Sequence, residues 1–129
     1  MSRLTLLASV ALLTGLSVTA LAQERVRVTG LYSNMRFGTE DVSGVEIFVV
    51  YGQDAHWAVV QCADGVPGKP LVSKATVNKN VIEFEVPLDQ DTLCPSGIFR
   101  GTVSAKGLRG KFERTNSPEF LARKKSYWQ

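Results

Sequence analysis

From Arg25 onward the sequence is cut into short runs of alternating apolar and polar residues. Almost every run is followed within three residues by glycine, proline, asparagine or aspartate. Period-two alternation puts one set of side chains on each face of a strand, and those four residue types are common turn formers. The runs cover residues 26–32, 45–51, 56–62, 71–77, 81–86, 98–104, 108–114 and 123–128. No window carries the apolar spacing of a long amphipathic helix; residues 119–122 are short enough for a single turn. The reading is an all-β domain of about eight strands, with short loops that force antiparallel neighbours. Such a meander closes, or nearly closes, into a small barrel, which removes exposed sheet edges. A β-sandwich is the alternative.

The faces follow from the same alternation. Ile82, Phe84 and Val86 point inward, with Glu83 and Glu85 outward. Phe99, Gly101 and Val103 face in, as do Leu108, Gly110 and Phe112. Glycines among inward aromatics leave room for an opposing ring and allow sharp bending. A two-residue turn at Lys106-Gly107 would set Gly101 opposite Phe112; a four-residue loop would set it opposite Gly110. The sequence is compatible with both.

Two runs break the pattern. Val45, Ile47, Val49 and Tyr51 share one face, but Glu46, Phe48 and Val50 share the other. Ala58, Val60 and Cys62 lie opposite Trp57 and Val59. Both faces are largely apolar, which is unusual for an antiparallel sheet with one face in water. The ordinary outcome is coverage by the chain itself, from residues 118–121 or the loop after Tyr32. The other occupants are a ligand, a partner or a second copy, as in a homodimer. Phe48, Val50, Trp57 and Val59 are therefore the candidate binding face.

The chain opens like an export signal. Met1-Ser2-Arg3 is basic, residues 4–16 are mostly apolar, and Ala20-Leu21-Ala22 is a small-residue cleavage site. The apolar run is too short for a membrane-spanning helix. Residues 1–22 are read as a secretory signal and residues 23–129 as one domain, periplasmic or secreted. Net charge is +3 over 129 residues, and Arg3 belongs to the leader. The two cysteines, Cys62 and Cys94, are expected to pair in an oxidising compartment. Two cysteines and one histidine make a poor zinc set, so no metal or other cofactor is expected.

Motifs for catalysis are thin. His56 is the only histidine, with Asp54 two residues away and no G-x-S-x-G beside it. It centres the one enzymatic alternative. Glu83 and Glu85 look like paired carboxylates but read better as strand charges, with Lys74 on the preceding strand placed to meet one of them. Asp89-Gln90-Asp91 lacks the glycine and distal glutamate of a calcium loop. Arg123, Lys124, Lys125, Tyr127 and Trp128 form a basic-aromatic edge. Its ordinary role is an edge strand guarded by lysines, and its functional role is contact with an anionic surface, glycan or acidic partner. A modest mature charge and export both argue against nucleic acid. Strands of six or seven residues with charged outward faces exclude an outer-membrane barrel.

These features point to an exported, non-catalytic binding domain, such as an inhibitor or chaperone of another exported protein. The alternatives are a carrier of a small apolar ligand and an enzyme centred on His56.

Overall fold

A computed structural model describes residues 25–125. Residues 1–22, expected to be a secretory signal, and Tyr127 and Trp128 lie outside the described residues. The strands are β1 (Gly30–Ser33), β2 (Arg36–Phe37), β3 (Val42–Gly52), β4 (Ala55–Pro67), β5 (Leu71–Asn78), β6 (Val81–Val86), β7 (Gly97–Val103), β8 (Gly107–Phe112) and β9 (Glu119–Lys124). All neighbours are antiparallel, and β1 pairs with both β9 and β3. Strands β1 and β3–β9 thus close an eight-stranded barrel, while β2 adds to the far end of β3. The sandwich alternative is not the fold.

The inward residues are the expected ones. Ile47, Val49, Ala58, Val60, Ile82, Phe84, Val86, Phe99, Val103, Leu108 and Phe112 are buried, joined by Tyr32 and Leu121. Alternation sorts the faces because the barrel has one dry side. Two short connections set one rim, called upper here. The Gln53-Asp54 turn has both residues left-handed, the geometry of a two-residue hairpin turn matched to strand twist. Lys79-Asn80 joins β5 to β6 at the same end.

Between β7 and β8 the register is the one set by four residues, 104–107, between the paired Val103 and Leu108, with Ser104 and Gly107 bonded to each other across them, so Gly101 lies opposite Gly110. The reason is steric. A Cβ on Gly110 would lie 2.2 Å from Cζ of Phe99, whose ring stacks on Phe84 and meets Phe112 edge-on. The Phe99 ring therefore occupies the space that Gly110 leaves. Gly110→Ala should cost about 1–3 kcal/mol by overpacking. Calorimetric melts of that variant, of Phe99→Leu and of the double variant check this: the pair should recover part of the loss, and strict additivity would refute the steric account.

Several strand ends differ from the sequence reading. Residues 119–122 are strand rather than a helical turn, because Leu121 turns into the core opposite Leu108. The last strand accordingly starts earlier and ends at Lys124. Residues 25–29 stay outside the ladder; Arg123 binds two of their carbonyls instead. Strand β4 runs on through Asp64 and Gly65 because β3 begins early enough to pair with them. Between β1 and β2 the register with β3 is unbroken, but at Asn34 the side chain replaces the main chain as acceptor: Asn34 N donates to the Val45 carbonyl at 3.1 Å, and Asn34 Oδ1 accepts from Val45 N at 2.7 Å. Gly44, with φ +123°, lies against this stretch; a Cβ there would lie 2.8 Å from the Asn34 carbonyl oxygen.

The lower rim is built by the long loop after β6. Cys94 in that loop is disulfide-bonded to Cys62 of β4, as the cysteine count suggested. Thr92 is fully buried, and its hydroxyl donates to the Asp89 carbonyl at 2.9 Å. Asp89 caps the short 3-10 turn Gln90–Thr92 and pairs with Lys69 at 3.0 Å. The hydrogen bond to Lys69 holds the Asp89 carboxyl below its ordinary value. Asp89 and Asp91 thus serve the loop's own architecture.

Candidate functional site

The outward residues of β3 and β4 form part of a wider apolar surface. The register sets Leu31 opposite Phe48, Phe48 opposite Val59, and Val59 opposite Val72. One continuous apolar row therefore crosses β1, β3, β4 and β5. A second row runs Val50, Trp57, Lys74. Phe48, Val50, Trp57, Val59 and Leu31 are half-buried by their neighbours, and Val72 is 66% exposed. The sequence reading reached four of these residues. Leu31 and Val72 were missed because each is the lone apolar residue on the outward face of its strand, and only cross-strand pairing joins it to the row.

Neither proposed chain segment covers this surface. Residues 119–121 belong to β9 and pair with β8. The chain after Tyr32 leads into β2, which pairs with Val42 and Ser43, well away from Phe48 and Val50. Trp57 is fixed in place: its indole N–H donates to the Gly52 carbonyl at 3.2 Å, bracing the indole against the β3–β4 turn. The face is bordered by Glu46 opposite Gln61 on the lower side and by Lys74 on the upper side.

The other singled-out residues lie apart from it. His56 pairs with Tyr51 at the upper rim, ring to ring at 4.9 Å and edge-on. Asp54 sits in the turn and is exposed. Glu83 forms its ion pair with Arg100 of β7 at 2.8 Å, and among the described residues Lys74 forms an ion pair with neither Glu83 nor Glu85. Among the described residues, no group of three or more His, Cys, Asp or Glu side chains could hold a metal ion.

The basic edge is divided by strand alternation. Arg123 turns inward at the upper rim and lies over the Tyr32 ring, 4.9 Å from its centroid. Its guanidinium donates to the carbonyls of Arg27 at 2.6 Å, Thr29 at 3.3 Å and Ser104 at 3.4 Å. It clamps three chain segments together. Burial pushes the Tyr32 phenol above its ordinary value, with the Arg123 charge opposing; the Tyr32 hydroxyl donates to the Val28 carbonyl. Lys124 and Lys125 remain exposed. Glu119 also alternates inward, opposite Gly110, and its Oε2 is buried without a hydrogen-bond partner.

Among the described residues no helix is long and apolar enough to cross a membrane. Comparison with known proteins finds no family model, no curated protein and no solved structure that matches this chain.

Proposed function

We propose that this protein is an exported, non-catalytic interaction domain that docks another exported protein, as an inhibitor or chaperone would, through the outer face of β1, β3, β4 and β5. The observation that carries this is the four-strand row Leu31, Phe48, Val59, Val72, with Trp57 braced beside it. A contiguous apolar patch with a polar border is how protein-docking surfaces are built. A half-buried tryptophan held by its own hydrogen bond loses little freedom on binding, which suits an anchor. The export-type leader and the disulfide both fit an oxidising compartment.

The carrier alternative gains less support, since inward side chains such as Phe84, Phe99 and Phe112 pack on one another. The enzymatic alternative rests on His56, whose ring packs edge-on against Tyr51 at the upper rim.

The test uses two substitutions in the mature protein. Val72→Glu alters a mostly exposed position and should change stability by less than about 0.5 kcal/mol. Trp57→Ala removes a half-buried ring and should cost about 1–2 kcal/mol of stability, less than a core aromatic. Both should weaken capture of the partner at least tenfold, about 1.4 kcal/mol or more. Capture from the periplasm by wild type and variants, with melts of each, reads this out. Undiminished capture by both variants would refute the assignment. A purified protein that sediments as a Val72-dependent dimer would assign the face to a second copy.

A further inference from the structure

The barrel is electrically polar from end to end. The upper rim collects the segment before β1, the turns β3–β4 and β5–β6, the loop β7–β8 and the end of β9. Among the described residues these bring together Arg25, Arg27, Lys79, Lys106, Lys124 and Lys125, all exposed, against Asp54. The lower rim carries Glu40, Asp41, Asp64, Asp89, Asp91 and Glu113, which outnumber Arg36, Lys69 and Arg114. The small net charge therefore hides two opposed poles. At the basic pole, Tyr51 projects from the β3–β4 hairpin end with 60% of its surface exposed, and His56 packs against it.

We propose that the upper rim is a docking surface for an anionic lipid bilayer, with Tyr51 entering the headgroup layer and the surrounding lysines and arginines held over the lipid phosphates. The cations are spread around a rim instead of converging on one pocket. That distribution fits a flat surface of many mobile anions better than a single small anion. Each Lys or Arg near such a surface adds to binding, and the effect fades within a Debye length. An exposed tyrosine among them, apolar in body and polar at its tip, is the residue type that settles at a membrane–water boundary. The acidic pole sets the orientation, since repulsion from anionic lipid turns the disulfide end away. Arg123 is not part of this surface; its guanidinium is committed to the carbonyls of Arg27, Thr29 and Ser104.

The experiment is co-sedimentation of the mature protein with vesicles of phosphatidylglycerol and phosphatidylcholine in equal parts, and with pure phosphatidylcholine. Binding is expected only to the anionic vesicles, weakening steeply as salt is raised. Lys79→Glu with Lys106→Glu changes two exposed loop positions and should lower the partition coefficient at least about tenfold. Glu40→Lys, at the opposite end, should not lower it. Tyr51→Ser should lower it severalfold without altering the salt dependence. Equal binding to both vesicle types, or unchanged binding by the double variant with its melt intact, would overturn the proposal. Binding to free heparin with none to vesicles would assign the rim to a soluble polyanion and overturn it as well. Salt-sensitive oligomers in the absence of lipid, with vesicle binding absent, would assign it to the acidic pole of a second copy.

Discussion

Deleting residues 123–129 should open the barrel, lower the melting temperature by more than about 15 °C and convert the protein into a concentration-dependent aggregate. The deletion removes the pairings of Tyr32 with Arg123 and of Leu31 with Lys124. What remains of the contact between the first and last barrel strands is Ser33 opposite Ala122. It also removes the guanidinium that binds the carbonyls of Arg27, Thr29 and Ser104. The Ser104 carbonyl keeps Gly107 N as a donor at 3.3 Å, but those of Arg27 and Thr29 lose the guanidinium, and Tyr32 loses the cation over its ring. The point variant Arg123→Ala separates the two effects. It keeps the strand backbone and should cost about 2–4 kcal/mol, from lost charge-assisted hydrogen bonds and lost packing. Arg123→Lys should recover little of this, because a single ammonium cannot span three carbonyls as a planar fork does. Size-exclusion profiles and thermal melts of the three proteins decide the matter. A deletion variant that stayed monomeric with an unchanged melt would show that closure through β9 contributes nothing to stability.

Arg123 also shows where sequence reasoning reached its limit. Arg123, Lys124 and Lys125 are consecutive and look like one basic surface. Strand alternation sends Arg123 inward over Tyr32 and leaves Lys124 exposed. The interior faces of β6 to β8 were legible because alternation alone decides them, and one face there is dry. The β7–β8 register was not, since both loop lengths keep Gly101 and Gly110 inward; the bulk of Phe99 over Gly110 is the tertiary fact that distinguishes them. The apolar anomaly of residues 45–62 was legible as composition, but its extension to Leu31 and Val72 needed the pairing of four strands. The basic rim was illegible for a related reason. Its cations come from four separate stretches of chain, and a net charge of +3 gives no hint that they share an end.

Replacing Cys62 and Cys94 together by alanine should lower stability by about 2–5 kcal/mol and loosen the lower rim before the rest of the barrel. The bond joins β4 to the loop after β6, across a sequence separation of 32. Without it, the unfolded chain regains the freedom that the cross-link denies it, and the loop keeps only its local ties. Those ties are real but short-ranged. Lys69 N donates to the Asp91 carbonyl at 2.8 Å, and Gly68 N to the Cys62 carbonyl at 2.8 Å. A Cβ at Gly68 would lie 2.2 Å from the Thr92 carbonyl, so the loop presses directly on the β4–β5 connection. The first consequence of reduction should therefore be local: amides of residues 90–94 should exchange with solvent well before those of β6 and β7, whose ladder does not depend on the bond. The outer face of β3 and β4 should respond less, because its register with β5 is set nearer the opposite rim, at His56 to Val60. Denaturant titrations of wild type and the double variant measure the stability change, and hydrogen exchange locates it. A variant whose stability fell by less than about 1 kcal/mol, with protection at Thr92 intact, would show that the loop is held by its hydrogen bonds alone.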